Sequence, residues 1–271
     1  MTEMERQIRR KWAEQRSFMT EKAFRRFIAF KLHQEDYQER LIRRLELFGD
    51  LSQKTVLDVG SGEGGLVVAL RLKGVRAYGV DFKEDNLEIS RLRADRRGVA
   101  RDIFARGRSE ELPFRTGSYD LVIMNEVLEH VKDVEASVKE AARILRPKGL
   151  FFGRVPNALW PFEGHVNMWF PHWLPAPWRK RYIRRFRPRK GLESNFLGDI
   201  NYRDYFGWRR AVAPFFATVE ANISINRAII EGVPPRLPGG AGKLAAQFLR
   251  GLLRLGLFDA LSPTVHLVAR K

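Results

Sequence analysis

Residues 55–65 read TVLDVGSGEGG, a short β-branched run that enters a cluster of four glycines, and residues 67–72 continue it at helical spacing. That is strand, turn and helix within eighteen residues. Glycines at such a junction allow a tight turn and let a ligand approach both the backbone and the helix N-terminus. Gly60, Gly62 and Gly65 alone fit GxGxxG, a pattern shared by many nucleotide folds. Asp81 ends the next apolar run, 21 residues after Gly60, where a carboxylate can accept hydrogen bonds from ribose hydroxyls. A dinucleotide passes that test too. Asp58 discriminates: a carboxylate two residues before the first glycine would repel a pyrophosphate but attract a ligand carrying an ammonium and a sulfonium, as S-adenosylmethionine does.

Working outward, VRAYGVD (75–81), ARDIFAR (100–106), YDLVIMN (119–125) and GLFFGRVPN (149–157) read as further strands, separated by helical stretches from Lys83 to Arg97 and after the capping residue Asp133. The alternation predicts an α/β fold, a Rossmann-like doubly wound sheet of seven strands. The remaining strands fall at 215–225 and 264–270, with helices over Tyr202–Val212 and Lys243–Leu257. Residues 1–50 carry apolar positions at helical spacing, among them Ile8, Trp12, Phe24 and Leu45, and are expected to form a helical lid. The expected organisation is thus a lid over 1–50, a core over 51–157, an acceptor-binding insertion over 158–200 after the fifth strand, and completion of the sheet over 201–271.

The chain has 271 residues, 44% of them hydrophobic, and no cysteine. Zero cysteine excludes disulfides, thiolate metal sites, iron–sulfur clusters and cysteine-dependent methylation at pyrimidine C5. The first residues are charged throughout, and no stretch approaches a membrane span in length, so no signal peptide or transmembrane helix is expected. The 49 basic against 32 acidic residues give a net charge of +17. That excess is uneven: 12 against 9 over residues 1–50, 19 against 16 over 51–157, and 18 against 7 over 158–271. Residues 158–200 hold four of the six tryptophans, and eight Lys and Arg crowd between Arg179 and Lys190. Such a segment suits an acidic partner: an anionic membrane surface or, less favoured, nucleic acid. Its bland alternative is aromatic packing beneath a solvated basic helix face. Cytoplasmic placement, peripheral at a membrane, is the expected localisation.

VLDVGSGEG (56–64), VDF (80–82), EELPF (110–114), YDLVIMNEVLEHV (119–131), ILRPKGL (144–150) and VPN (155–157) resemble, in order and spacing, the class I S-adenosylmethionine-dependent methyltransferases, above all the ubiquinone- and menaquinone-biosynthesis branch. The resemblance covers about residues 51–157 and, more faintly, 202–271. It implies S-adenosylmethionine as cofactor, with Asp58, Gly60, Ser61 and Gly62 at its methionine end, Asp81 on the ribose and Phe82 on the adenine. Ser109 and Glu110 would meet the adenine edge, and Asn125 would line the cofactor near the reacting centre. The pattern departs at one position: such enzymes usually have Asp-Ala-Glu where this chain has Arg108-Ser109-Glu110, and arginine has no acceptor for the adenine amino group.

Methyl transfer is an in-line displacement, accelerated chiefly by placement, so a catalytic side chain is optional. For a hydroxyl acceptor a base helps, and His130, with Glu126 beside it, is the leading candidate because it follows the fourth strand at the sheet's ligand-binding edge. The alternative is a histidine that only hydrogen-bonds locally. Glu126, Glu129 and His130 also resemble the ExxEH group that binds a divalent cation in the ubiquinone-type enzymes, which leaves a metal role open. His165 and His172 form a second pair, for which packing is the favoured reading. Asn125-Glu126-Val127-Leu128 lacks the [DN]PP[YFW] turn of exocyclic base methylation, which disfavours that chemistry. The expected function is methyl transfer to a small-molecule or lipid-like acceptor, at oxygen. Its rivals are an RNA methyltransferase, a non-catalytic S-adenosylmethionine-binding adaptor and, remotely, a pyridine-nucleotide oxidoreductase.

Overall fold

The computed structural model describes residues 1–164, 168–186, 200–221 and 262–271. In chain order the elements are α1 (Glu3–Lys11), α2 (Glu21–Leu32), α3 (Glu39–Glu46), β1 (Thr55–Val59), α4 (Gly65–Leu72), β2 (Arg76–Asp81), α5 (Glu84–Arg96), β3 (Phe104–Arg106), β4 (Tyr119–Asn125), α6 (Val134–Ile144), β5 (Leu145–Pro156), β6 (Phe162–Glu163), β7 (Met168–Trp169), α7 (Ala176–Phe186), α8 (Tyr205–Val212), β8 (Thr218–Ala221) and β9 (Thr264–Arg270). Seven strands form one sheet, as the alternation predicts, and their order is β3-β2-β1-β4-β5-β9-β8. β1 pairs in parallel with both β2 and β4, so the strand order reverses at β1, where open α/β sheets bind ligands beyond the carboxyl ends of their strands. Only β8 and β9 pair antiparallel within this sheet among the registers resolved.

The chain divides into two compact units, Met1–Asn125 with Lys139–Leu150, and Glu126–Val138 with Phe151–Lys271. In the first, β1 buries Val56, Leu57 and Val59 and α4 buries Leu66 to Leu70, as fits a parallel strand covered on both faces. Thr2 and Thr20 start α1 and α2 by accepting from the N–H groups of Glu5 and Ala23, both at 3.2 Å. These helices share a core with α5, in which Met4, Ile8, Phe24, Ile28 and Ile89 are buried together. In the second unit the Asp204 carboxylate caps α8 through Gly207 N–H at 2.6 Å, and the fully buried Trp208 donates from Nε1 to Pro156 O at 2.9 Å. Residues 158–200 contribute the β6–β7 hairpin, a sheet of its own, and α7.

Several boundaries differ from the reading of the sequence. β3 begins at Phe104 rather than at residue 100, because an edge strand needs only the three residues that pair with Gly79, Val80 and Asp81. The fifth strand begins at Leu145 rather than at Gly149, and Pro147-Lys148-Gly149 lies inside it with Lys148 at φ 64°. α8 starts at Tyr205, where Asp204 caps it, instead of at Tyr202. The expected helix over 243–257, the end of the strand over 215–225, His165, and Arg187, Arg189 and Lys190 lie outside the described residues.

Candidate active site

At the carboxyl end of β1 the chain turns through Gly60, Gly62 and Gly64, all at positive φ. Gly60 and Ser61 donate their N–H groups to Val80 O at 2.8 and 3.0 Å, which ties the loop to β2. Gly64 caps α4 in the left-handed region, and a Cβ there would meet Ser90 Cβ at 2.6 Å and the Phe104 ring at 2.8 Å. At Gly62, φ 54°, a Cβ would meet nothing within 4 Å, so the turn leaves open space on its outer side. Asp81 fixes that turn, its Oδ2 accepting from Gly62 N–H and its Oδ1 from Lys83 N–H, both at 2.9 Å.

Asp58 and Asp81 are both buried, at 6% and 5% exposure. Burial first, and the neighbouring Asp81 charge second, push the Asp58 carboxyl up to about 8. An acid pair of this kind is stabilised by a cationic ligand. Ser61 Oγ and Asn125 Oδ1 are buried with no hydrogen-bond partner, although buried polar atoms are ordinarily paired. The Phe82 ring, by contrast, is 52% exposed just past β2, with the Lys83 ammonium 5.4 Å and the Arg108 guanidinium 5.8 Å from its centroid. Open glycine, buried acids, unpartnered polar atoms and an exposed ring fit the methionine, ribose and adenine parts of S-adenosylmethionine. Arg108, the departure from the family pattern, lies over Phe82 and 3.6 Å from the Glu110 carboxylate, to which Ser109 Oγ also donates at 3.2 Å.

The second unit holds a cavity of about 390 Å³ whose walls include Glu126, Glu129, Arg154, Trp160, Phe162 and Glu163, with His172 and Tyr202. Glu126, the residue after β4, adopts φ 59°, and its carboxylate pairs with Arg154 at 3.1 Å. Strained non-glycine backbone of this kind concentrates at functional positions. Glu129 and Glu163 are buried at 1% and 3% exposure. His172 Nε2 lies 3.1 Å from Ala158 O; a carbonyl can only accept, so Nε2 carries the proton and Nδ1, buried without a partner, keeps its lone pair. Burial pulls the His172 pKa down, which keeps the ring neutral at physiological pH, while burial and then the Glu163 charge hold the Tyr202 phenol protonated. The two rings stack at 5.3 Å.

The profile of the methyltransferase-domain family matches residues 33–196, more than half of the chain. The chain belongs to that family. The ubiquinone biosynthesis O-methyltransferase of Bartonella bacilliformis is 28% identical over 151 residues, which cover 54% of this chain and 60% of that protein. The enzyme of the same name from Sodalis glossinidius is 34% identical over 154 residues, 55% of this chain and 56% of that one. The match thus spans little more than half the length of these relatives. Among solved structures, Haemonchus contortus phosphoethanolamine N-methyltransferase 2, in complex with S-adenosyl-L-methionine, superposes with a TM-score of 0.54 and 17% identity over 85% of this chain and 51% of that one, a likeness of fold.

Of the residues expected at the cofactor, Asp58, Gly60, Ser61, Gly62, Asp81, Phe82, Ser109, Glu110 and Asn125 all fall in the first unit, near or just beyond the ends of β1, β2, β3 and β4. Glu126 and His130 fall in the second. Glu126 lines the cavity, whereas His130 is exposed in the turn after β4, bonded through its N–H to Val127 O at 2.8 Å, and is not among the lining residues. Among the described residues no three His, Asp or Glu side chains stand together as a metal-holding group, Glu126, Glu129 and His130 included.

Sequence reasoning missed the support behind the glycine loop. Glu63 is buried, accepts from Trp12 Nε1 at 2.6 Å, and pairs with Lys11 at 3.3 Å and Lys31 at 3.6 Å. Behind it the fully buried Arg93 donates to Glu63 O at 2.7 Å, to Lys31 O at 2.6 Å and to the Glu35 carboxylate at 2.5 Å. Burial alone would raise the Glu35 pKa, but a backbone hydrogen bond and Arg93, with Arg96, outweigh it and hold the group below its usual range. No periodic signal marked it, since the buried residues of α5, Leu87, Ile89, Ser90, Arg93 and Ala94, are spread around most of the helix.

Proposed function

We propose that this chain is an S-adenosylmethionine-dependent methyltransferase that moves a methyl group to an oxygen of a small or lipid-like molecule. The observation that carries the reading is the cradle after β1: open Gly62, buried Asp58 and Asp81, and the unpartnered Ser61 Oγ and Asn125 Oδ1, all inside the span of the family match. When bound, S-adenosylmethionine supplies a methyl already activated on a positively charged sulfur. The chain's part is to hold that cation beside Asp58, to accept from the ribose at Asp81, and to place an acceptor hydroxyl in line. Calorimetric titration tests it: S-adenosylhomocysteine should bind, and bind more tightly than NAD. Tighter binding of NAD overturns the assignment.

The proposal extends to a partner surface. Trp169, Trp173 and Trp178 are 53%, 52% and 71% exposed, and Phe170 and Phe186 are exposed beside them. Along α7 only Ile183 is buried among the apolar side chains described, while Lys180, Arg181, Arg184 and Arg185 face solvent. Exposed aromatics interleaved with cations suit the boundary between acyl chains and anionic headgroups, and anionic leaflets face the cytoplasm. On this reading the enzyme works in the cytoplasm, peripherally attached, and nucleic acid is the less favoured partner. No helix among the described residues is long and apolar enough to cross a membrane. Sedimentation with anionic and neutral liposomes should show binding to the anionic ones only, lost in the Trp173→Ala, Trp178→Ala double variant. RNA binding at physiological salt without liposome binding would replace the membrane with RNA.

A further inference from the structure

The glycine turn after β1 is gripped from behind at one residue, Glu63, through its side chain and its main chain at once. Its Oε1 accepts from Trp12 Nε1 at 2.6 Å, across 51 residues of sequence, and lies 3.3 Å from the Lys11 ammonium. Its Oε2 lies 3.6 Å from the Lys31 ammonium, and its carbonyl accepts from Arg93 Nε at 2.7 Å. Both grips lead to the same stretch of chain, because Arg93 also donates to Lys31 O at 2.6 Å and to Leu32 O at 3.1 Å. Gln34 completes the contact at the start of α4, where a Cβ on Gly65 would come within 2.8 Å of the Gln34 Cβ. Lys11 closes α1, Trp12 follows it, and Lys31 lies in the last turn of α2, so the turn that ends a sheet strand is held by helices outside the sheet.

Burial makes this grip strong. Glu63 is 4% exposed, and the side chains of Lys11 and Lys31 are only 17% and 15% exposed, where charge-assisted contacts are screened far less than at the surface. Trp12 serves two partners, donating its N–H to Glu63 while the Lys31 ammonium lies 4.2 Å from its ring centroid. The turn has little rigidity of its own. Glu63 stands between Gly62 and Gly64, at φ 54° and 77°, and glycine gives up more conformational freedom than any other residue when it is fixed.

We infer that Glu63 is a positioning residue for the cofactor: gripped by Trp12, Lys11 and Lys31, it fixes the turn in the form that receives S-adenosylmethionine, so that docking of α1 and α2 and binding of the cofactor favour each other. The inference rests on the cofactor reading above and adds to it a control exerted by the N-terminal helices. Such coupling is reciprocal, so whatever the helices contribute to cofactor affinity the cofactor returns as protection of the helices.

Calorimetric titration of S-adenosylhomocysteine into the wild-type chain, Glu63→Gln, Trp12→Phe and the double variant tests it, each at a temperature where circular dichroism shows it folded. Glu63→Gln keeps an acceptor and removes the charge, and Trp12→Phe keeps an aromatic face toward Lys31 and removes the N–H. Each should weaken binding by about tenfold, and the double variant by less than the product of the two losses. A purely structural role would lower the denaturation midpoint and leave the dissociation constant of the folded protein unchanged. Hydrogen exchange over residues 3–32 should slow when the wild type is saturated with S-adenosylhomocysteine, and slow less in the variants. Should Glu63→Gln not fold, Trp12→Phe decides alone, by its dissociation constant and its exchange. Dissociation constants within about twofold of wild type, or exchange over 3–32 that the ligand does not change, overturn the inference and leave the cofactor reading standing. Failure of the wild type to bind S-adenosylhomocysteine overturns the cofactor reading and the inference with it.

Discussion

The two units of this protein differ in how their sites are written into the chain. Every residue of the first unit proposed to meet the cofactor stands near or beyond the end of a strand, within one of a few short blocks: 58–62, 81–82, 109–110 and 125. The cavity of the second unit draws its walls from Glu126 to Thr264, across a turn, a strand, a hairpin and a loop. Parallel-sheet geometry dictates the first arrangement, since strand ends line one edge whatever the rest of the chain does. Nothing comparable dictates the second, which depends on how an insertion folds back. On the proposed reading, a cofactor common to many reactions would be held by the scaffold, and the acceptor, particular to one reaction, by what is added to it.

The comparison breaks most severely where the first unit's site depends on something outside its blocks. Arg93 is such a point, so Arg93→Ala should destabilise the protein by about 3–5 kcal/mol, the usual cost of stripping one partner from a buried ion pair. Urea denaturation checks it. A loss below about 1 kcal/mol would mean that Arg96, also bonded to Glu35, substitutes for it. Stability carried by Glu35 follows the sign of its lowered pKa: fully present above the unfolded value near 4.5, it is lost as pH falls through the folded value. Glu35→Gln should remove that part of the acid limb.

A second prediction sharpens the contrast between two histidines. His130 was the base that the sequence favoured because it follows β4, yet it is exposed and does not line the cavity, whereas His172 does, with its tautomer fixed by Ala158 O. For a hydroxyl acceptor, His172→Gln should lower kcat by about 10²-fold with little change in cofactor affinity, and His130→Ala by far less. The pH profile of the wild type should then show a group below the ordinary histidine value, as burial dictates. Equal losses in the two variants would restore His130.

What was legible follows from these cases. The strand–glycine–helix turn, the two acids, the alternation of strands and helices and the helix cap at Asp133 are local chemistry at fixed spacing, and could be read directly. Arg93 against Glu35, 58 residues apart, could not, because α5 is buried around most of its circumference and local spacing names no partner. His172 was read as packing, and it does stack on Tyr202; that it also lines a cavity beside Ala158 O could not be read, because only the fold brings those groups to it.

A smaller effect is expected at Asp81. Asp81→Ala removes the acceptor of two backbone N–H groups and of the ribose hydroxyls, and at about 1.5–3 kcal/mol for a hydrogen bond to a charged group the affinity for S-adenosylhomocysteine should fall about ten- to a hundredfold. Calorimetry reads it directly, and an unchanged dissociation constant would remove Asp81 from the site.

The mildest prediction concerns the proton on Asp58. Its folded pKa of about 8 lies above the ordinary carboxyl value of 3.8, so at pH 7 the free protein holds a proton there that the unfolded chain would have released. By linkage this group disfavours the folded state progressively as pH rises from about 4 to 8. A ligand bringing an ammonium beside Asp58 reverses the balance, since the ionised carboxylate attracts it and the protonated one does not. Binding of S-adenosylhomocysteine at pH 7 should therefore release up to one proton, and its affinity should rise between pH 6 and pH 8 by less than tenfold per pH unit. Titrations at pH 7 in buffers of different ionisation enthalpy measure that proton. Because the Asp81 charge is the second cause of the raised value, Asp81→Asn should lower the Asp58 pKa and reduce the release, whereas substitutions in the cavity of the second unit should leave it unchanged. Proton uptake in place of release would show that Asp58 is already ionised in the free protein and faces something other than the ligand's cation.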